Sequence, residues 1–210
     1  MYDVPHFKGA DHVEVIRFMK DHPFVFLTGS DTDHNPVVTQ VPVFIDEKDG
    51  RYFLTGHIMR NTDHHKAFIQ NKKVLAVFTG PHTYVSATWY TKPVGSTWNY
   101  MSVHAKGTIR FGDENELRSV LQRLSLHYEN GNIASSTVFD NLPDEYTERM
   151  MKAIVPFEIE ITDLKHIFKL SQNRDEESYD NIVAQLKKQE GDAKEIGIIM
   201  EERKYKVFPS

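Results

Sequence analysis

Apolar and polar residues alternate in short runs through the first half of the chain, then recur every three to four positions in the second. The chain opens on a predicted helix over 11–20, in which Val13, Ile16 and Met19 share a face. Asp11 and Glu14 there fit a capping box, and His22-Pro23 stops the helix. Strands are predicted over 24–28, 37–45 and 51–57, joined by the polar turns 30–35 and 46–50. Short polar turns between alternating runs imply an antiparallel meander. A short helix or turn over 60–70 precedes three further strands, at 74–79, 83–89 and 97–111, punctuated by Gly80-Pro81 and by the loop 92–96. Six strands in little more than a hundred residues point to a barrel.

The second half reads differently. Asp113 and Glu116 form another capping-box pattern, and Leu117, Val120, Leu121, Leu124 and Tyr128 follow at helical spacing up to Gly131. A helix over 143–154 begins with proline. The alternating segment 157–161 is a strand, expected to pair with 165–170, and an amphipathic helix covers 175–189. The last fifteen or so residues read as a marginal helix or a tail that meets a partner. The expected architecture is α+β: one domain over 1–210, its barrel core at about 1–112 and 156–170, with helices at about 113–155 and 175–200.

Composition narrows the function. The 210 residues contain no cysteine, which excludes a disulfide framework, a thiol nucleophile and a thiolate metal site. A net charge of −5 argues against a broad basic face for nucleic acid. The opening residues lack the basic and apolar regions of a signal peptide, and no apolar run reaches membrane-spanning length. A soluble cytoplasmic protein without membrane association is therefore expected. Eleven histidines would change the net charge below neutral pH.

Chemistry-bearing residues fall in three places. The first is Thr55-Gly-His-Ile-Met-Arg60, continuing to His64-His-Lys66. A strand ending at glycine and entering a basic turn suits a phosphate, with amide N–H groups, a helix N-terminus and the charges of Arg60 and Lys66. A solvated basic turn is the plain alternative. Metal binding by His57, His64 and His65 finds no support, because adjacent histidines project in different directions and no His-Glu-x-x-His motif is present. The second place is the stretch from Phe78 to His104. His82, Ser86, Asn99 and His104 occupy polar positions there beside the flat rings Trp89, Tyr90, Trp98 and Tyr100. That mixture suits a planar ligand with a polar edge, or else a core or subunit interface. No nucleophile elbow accompanies Ser86 or Ser102, so serine–histidine catalysis is not indicated. The third is Lys169-Leu-Ser-Gln-Asn-Arg174, read either as a helix-capping turn or as a ligand or dimer contact through Lys169, Gln172 and Arg174.

Several segments together resemble the PaiB family, the FMN-binding proteins called negative transcriptional regulators. They are Gly80-Pro-His-Thr-Tyr-Val-Ser with Trp89-Tyr, Thr97-Trp-Asn-Tyr with Val103-His, Ala153-Ile-Val-Pro-Phe157, Lys169-Leu-Ser-Gln-Asn-Arg174, and the opening Met1-Tyr-Asp-Val-Pro-His-Phe. The resemblance implies a split antiparallel barrel related to pyridoxamine 5'-phosphate oxidase, FMN as cofactor, and a homodimer with the flavin at the subunit interface. It assigns the flavin phosphate to Thr55, Gly56, His57, Arg60 and Lys66. The ring edge falls to the strand holding Thr39, Gln40 and Pro42. His82, Ser86, Trp98, Asn99 and Tyr100, from the same or the partner subunit, complete the site, with Lys169 and Gln172 as further contacts. The chain departs from the family pattern at Thr62-Asp-His-His65 and at Thr79. The implied function is repression, direct on DNA or through a regulatory partner; the alternative is a flavin-dependent oxidoreductase acting on a small molecule. No helix-turn-helix signature is present, which favours indirect regulation.

Overall fold

The computed structural model describes residues 4–209. Met1–Asp3, part of the opening motif, lie outside the described residues. Seven strands form one sheet in the order β2-β1-β5-β6-β7-β4-β3. They are β1 (Phe24–Ser30), β2 (Pro36–Pro42), β3 (Phe44–Lys48), β4 (Arg51–Met59), β5 (Lys73–Val85), β6 (Thr97–Phe111) and β7 (Ile154–Lys169). Six helices accompany them: α1 (His12–Asp21), α2 (Asp63–Gln70), α3 (Glu114–Tyr128), α4 (Asp144–Ala153), α5 (Glu176–Leu186) and α6 (Gly191–Val207). The fold is the α+β split antiparallel barrel that the sequence implies. No helix of the described residues is long and apolar enough to cross a membrane. The residues cluster into two compact units. Of the described residues, one unit comprises 4–22, Phe78–His104 and 165–209, and the other Pro23–Val77 and Ala105–Leu164.

In the second unit the expected three-strand meander is corrected. The segment 37–45 is two strands, separated at Val43. β2 pairs antiparallel with β1, from Phe24 opposite Pro42 to Ser30 opposite Pro36, whereas β3 pairs with β4. Pro42 has no N–H to continue a ladder, and the Val43 amide donates instead to the Pro23 carbonyl at 2.9 Å. β2 and β3 thus sit at opposite edges of the sheet order with one residue between them, so the sheet must curl round to bring its edges together at Val43. Helix α3 carries the expected capping box: Asp113 accepts from the Glu116 amide, and Glu116 accepts from the Asp113 amide. Its buried Leu117 and Leu121 pack with Phe139 and Met151. The strand expected to turn back between 157–161 and 165–170 is one continuous β7, paired with β4 from Glu160 opposite Phe53 to Ile154 opposite Met59.

In the first unit, α1 is capped by Asp11, which accepts from the Glu14 amide at 2.8 Å. Its buried face is Val15, Ile16, Phe18 and Met19; Val13, expected inside, is 77% exposed. Gly80-Pro81 does not break the chain into two strands, because β5 runs through both residues. β5 pairs with β1 only over Leu75–Val77, so Pro81 removes no bond from that ladder. Gly80 is needed where it stands: a Cβ there would lie 2.6 Å from the Phe18 ring. Trp89, expected in a strand, lies in a single 3₁₀ turn, Ala87–Trp89. The marginal tail is a full helix, α6, which packs on α5 through Ala193, Ile196, Gly197 and Met200.

Candidate functional site

The phosphate-compatible turn lies wholly in the second unit, where β4 runs into α2. Three amides around the start of α2 are already occupied. His64 N donates to Asp63 Oδ1 at 2.7 Å, His65 N to Thr62 Oγ1 at 3.3 Å, and Asn61 N to His65 Nδ1 at 3.1 Å. Asn61, with φ of 63°, turns the chain there. These three donors of the expected phosphate cradle are therefore committed within the protein, which shifts anion binding toward side chains. Arg60 is exposed; its Nε donates to the Ile154 carbonyl at 2.8 Å, which fixes the guanidinium and leaves its outer nitrogens uncommitted. Lys66 on α2 is exposed; its amide donates to the Thr62 carbonyl at 3.1 Å, and its ammonium group has no hydrogen bond or ion pair among the described residues. Arg60 also borders a hollow of about 450 Å³ shared with Arg118 and Lys152.

Alternation along β4 divides its candidates between two faces. Gly56 faces Pro42: a Cβ on it would meet the Pro42 carbonyl at 2.9 Å and the Phe157 ring at 2.8 Å. The structure thus brings Gly56 and the end of β2 together. Thr55 points to the other face, where its hydroxyl donates to Asp46 Oδ2 at 3.0 Å. Asp46 in turn accepts two bonds from Arg123, both 2.8 Å. Burial alone would raise the Asp46 carboxyl, but the Arg123 bonds outweigh it and hold it below its usual range. His57 shares Thr55's face, and burial lowers its pKa, which keeps it neutral at neutral pH. His65 is lowered by burial and by the nearby Arg60 and His64.

β2 is an edge strand, so the backbone along one side of Thr39, Gln40 and Pro42 has no partner in the sheet. Gln40 is exposed directly opposite Phe26, on a face where Phe24, Phe26 and Val38 are also exposed.

The remaining candidates belong to the first unit. Trp98 is 54% exposed beside exposed Tyr84 and His82, with ring centroids 6.1 and 6.2 Å away. His82 is tied to Asp192 of α6 through its amide, at 3.2 Å, and its ring. Ser86 caps the 3₁₀ turn by accepting from the Thr88 amide. Tyr100 is half-buried. Asn99 is fully buried; it accepts from Ser171 Oγ at 3.0 Å and donates to Met200 Sδ at 3.4 Å. Gln172 is spent on its own turn, and Lys169 Nζ donates to Thr97 Oγ1 and to the Trp98 carbonyl. Asn99 therefore spends its side chain on Ser171 and Met200, and Gln172 on the backbone of its own turn, rather than presenting free side chains to a ligand.

Residues 1–163 match the family described as "Putative FMN-binding domain". The chain is also 31% identical to the Bacillus subtilis protein "Protease synthase and sporulation protein PAI 2", over 97% of this chain and 98% of that one. The chain belongs to the PaiB family of FMN-binding domains. Solved structures agree on the fold at lower identity. The FAD and heme binding protein from Mycobacterium smegmatis superposes with a TM-score of 0.55 at 15% identity, covering 76% of this chain and 71% of that one. The flavocytochrome Anf3 from Azotobacter vinelandii gives 0.53 at 17%, covering 81% and 73%. Membership of the PaiB family makes FMN the cofactor of this chain.

The residues present fit that cofactor chemically. A flavin phosphate needs cations, which Arg60 and Lys66 would supply; a flavin ring edge needs polar partners, which the unpaired side of β2 and Gln40 would supply; and the ring needs apolar surface, which Phe24 and Phe26 would offer. Two features of this region had no signal in the sequence. Asp46 and Arg123 are 77 positions apart, and the Phe24–Phe26 face was read as ordinary strand.

Proposed function

We propose that this protein is a homodimeric, FMN-binding regulator of the PaiB type, cytoplasmic, which represses transcription indirectly through a regulatory partner. The observation that carries this reading is the match to the Bacillus subtilis sporulation protein along nearly the full length of both chains. In the site we assign, Arg60 and Lys66 bind the phosphate. The edge of β2, at Thr39, Gln40 and Pro42, orients the ring, while Gly56 keeps the adjoining space clear. Thr55 acts from behind through Asp46, and neutral His57 adds no competing charge. FMN, when bound, supplies reversible hydride or electron transfer, so the regulator would read redox state or flavin supply. The exposed Phe24, Phe26 and Val38 support a dimer, since an apolar face of that kind is unusual on a monomer. In the first unit, Trp98, His82, Ser86 and Tyr100 form a second aromatic and polar surface, which we assign to ligand or partner contact.

The deciding experiment is a visible absorbance spectrum of the purified protein before and after adding FMN, with excess removed. About one flavin per chain is expected. No retained flavin under either condition would overturn the site. NADH or NADPH oxidation by the loaded protein would move the reading to a flavin-dependent oxidoreductase, and a monomeric mass in light scattering would remove the dimer.

A further inference from the structure

The segment Lys169–Arg174 is a turn held from several directions. The Arg174 amide donates to the Ser171 carbonyl at 3.0 Å. The Gln172 side-chain oxygen accepts from the Leu170 amide at 2.7 Å, and its nitrogen donates to the Phe168 carbonyl. Ser171 Oγ is bonded to buried Asn99. Ser171 itself is 2% exposed and left-handed, with φ of 61°. That conformation costs a serine on the order of 1 kcal/mol and persists only where its surroundings impose it. The two ends of the turn are consequently fixed in place.

Both ends are cations. Lys169 Nζ is held by the Thr97 hydroxyl and the Trp98 carbonyl, two neutral acceptors. The Arg174 guanidinium lies 4.4 Å from the centre of the Tyr90 ring. Burial, and then the positive charge of Arg174, lower the Lys169 pKa. Neither cation forms an ion pair among the described residues. Asp175, the next residue, is committed to Ser178 and Thr91. Two buried donors close by, Arg174 Nε and Tyr90 Oη, have no partner among the described residues. Two repelling charges, partly withdrawn from water and uncompensated, are unfavourable unless an anion joins them.

We propose that Lys169 and Arg174 form an oxyanion subsite that binds the phosphate or carboxylate group of a small molecule, with exposed Trp98 as its adjoining flat wall. Lys169 supplies a point charge. Arg174 supplies a planar fork, preset by stacking on Tyr90, that matches two oxygens of one group. Asn99, Ser171 and Gln172 are positioning residues. The subsite uses none of the β2, β4 and α2 residues assigned to the flavin; Lys169, which the family resemblance also counts among the flavin contacts, is its one point of overlap with that assignment. Its oxyanion has two sources, the phosphate of FMN or that of a separate molecule.

The test titrates the full chain, free of flavin, with inorganic pyrophosphate, followed by calorimetry and by tryptophan fluorescence. Saturable binding that weakens with added salt is expected. Arg174→Met should weaken it about tenfold or more, the equivalent of one charge-assisted contact, and Arg174→Lys should fall between, since it keeps the charge and loses the fork. Lys169→Gln serves as a second variant that retains a donor to the Trp98 carbonyl. No saturable binding to the unaltered protein, or unchanged affinity in well-folded Arg174→Met or Lys169→Gln, overturns the subsite. FMN and riboflavin titrations of Arg174→Met then identify the source. Weakened FMN with unchanged riboflavin assigns the subsite to the flavin phosphate; unchanged affinity for both, with pyrophosphate binding lost, assigns it to a separate molecule.

Discussion

Arg203→Met removes one half of an ion pair that is almost closed off from water. The side chains of Arg203 and Glu14 are 11% and 14% exposed, and the pair joins α6 to α1. Burial lowers the Arg203 pKa, yet a guanidinium remains charged at neutral pH. Losing one partner of a buried pair costs about 3–5 kcal/mol, because the other charge is left bare. Here the penalty is smaller. Lys206 Nζ stays 3.4 Å from the second Glu14 oxygen, and a partly exposed contact of that kind returns about 1 kcal/mol or less. Methionine keeps apolar volume near the Phe168 ring, which the guanidinium approaches at 5.7 Å. The expected loss is therefore about 2–4 kcal/mol, or on the order of 10 °C in melting temperature for a chain of this length. Adding Glu14→Gln removes the second charge and should restore most of the loss, because the expense lies in the unpaired carboxylate. Urea denaturation of the two single variants and the double variant measures this cycle. A single-variant loss below about 1 kcal/mol, or a double variant whose loss equals the sum of the singles, would refute the reasoning.

Other predictions follow from the same structure. Arg60→Ala should weaken FMN about tenfold or more and leave riboflavin unchanged; equal FMN affinity by fluorescence titration removes Arg60 from the phosphate site. Burial lowers the pKa of His57, His65 and His166 in the folded protein. Their unfolded forms therefore bind protons first, so melting temperature should be level above about pH 6.5 and fall as pH drops below it. A melting temperature constant between pH 7.5 and 5 would contradict this. Gly107→Ala would place a Cβ 2.3 Å from the Glu160 carbonyl oxygen and 2.6 Å from Ile159 Cγ2. Because the first of these is backbone of β7, the expected cost is about 3 kcal/mol, and an unchanged urea midpoint would show that the strands separate freely there.

The features legible in the sequence were those decided within a few residues. Asp11, Asp113 and Asp175 each cap the helix their position suggests, and β6 spans the run 97–111 as its alternation indicates. Three of the misreadings concern distant partners. The break at Val43 exists because β2 and β3 take different neighbours. Gly80-Pro81 stays in a strand because β1 has already left that ladder and Phe18 fills the space above the glycine. Helix α6 hid its buried face because that face includes Arg203, which is tolerable there only with Glu14 from 189 positions away.

The candidate chemistry was half legible for the same reason. Residue type marked Arg60, Lys66, Lys169 and Arg174, since cations are visible in any sequence. Their roles depend on what is already spoken for. At the β4–α2 junction, Thr62 and Asp63 accept from the His65 and His64 amides, two of the donors a phosphate would use, which shifts binding toward the side chains. At Lys169–Arg174 the order is reversed: Gln172, Ser171 and Asn99, which look like the ligand-binding groups, are consumed in holding the turn. Among the described residues, five non-glycine positions adopt positive φ: His34, Asp49, Asn61, Asn130 and Ser171. Four are histidine, asparagine or aspartate in exposed turns, where that conformation is cheap. Ser171 alone is buried. Ser171 is held left-handed inside the protein by its bond to buried Asn99, and the cations at either end of its turn are offset by no carboxylate among the described residues, which is the arrangement the proposed oxyanion subsite uses.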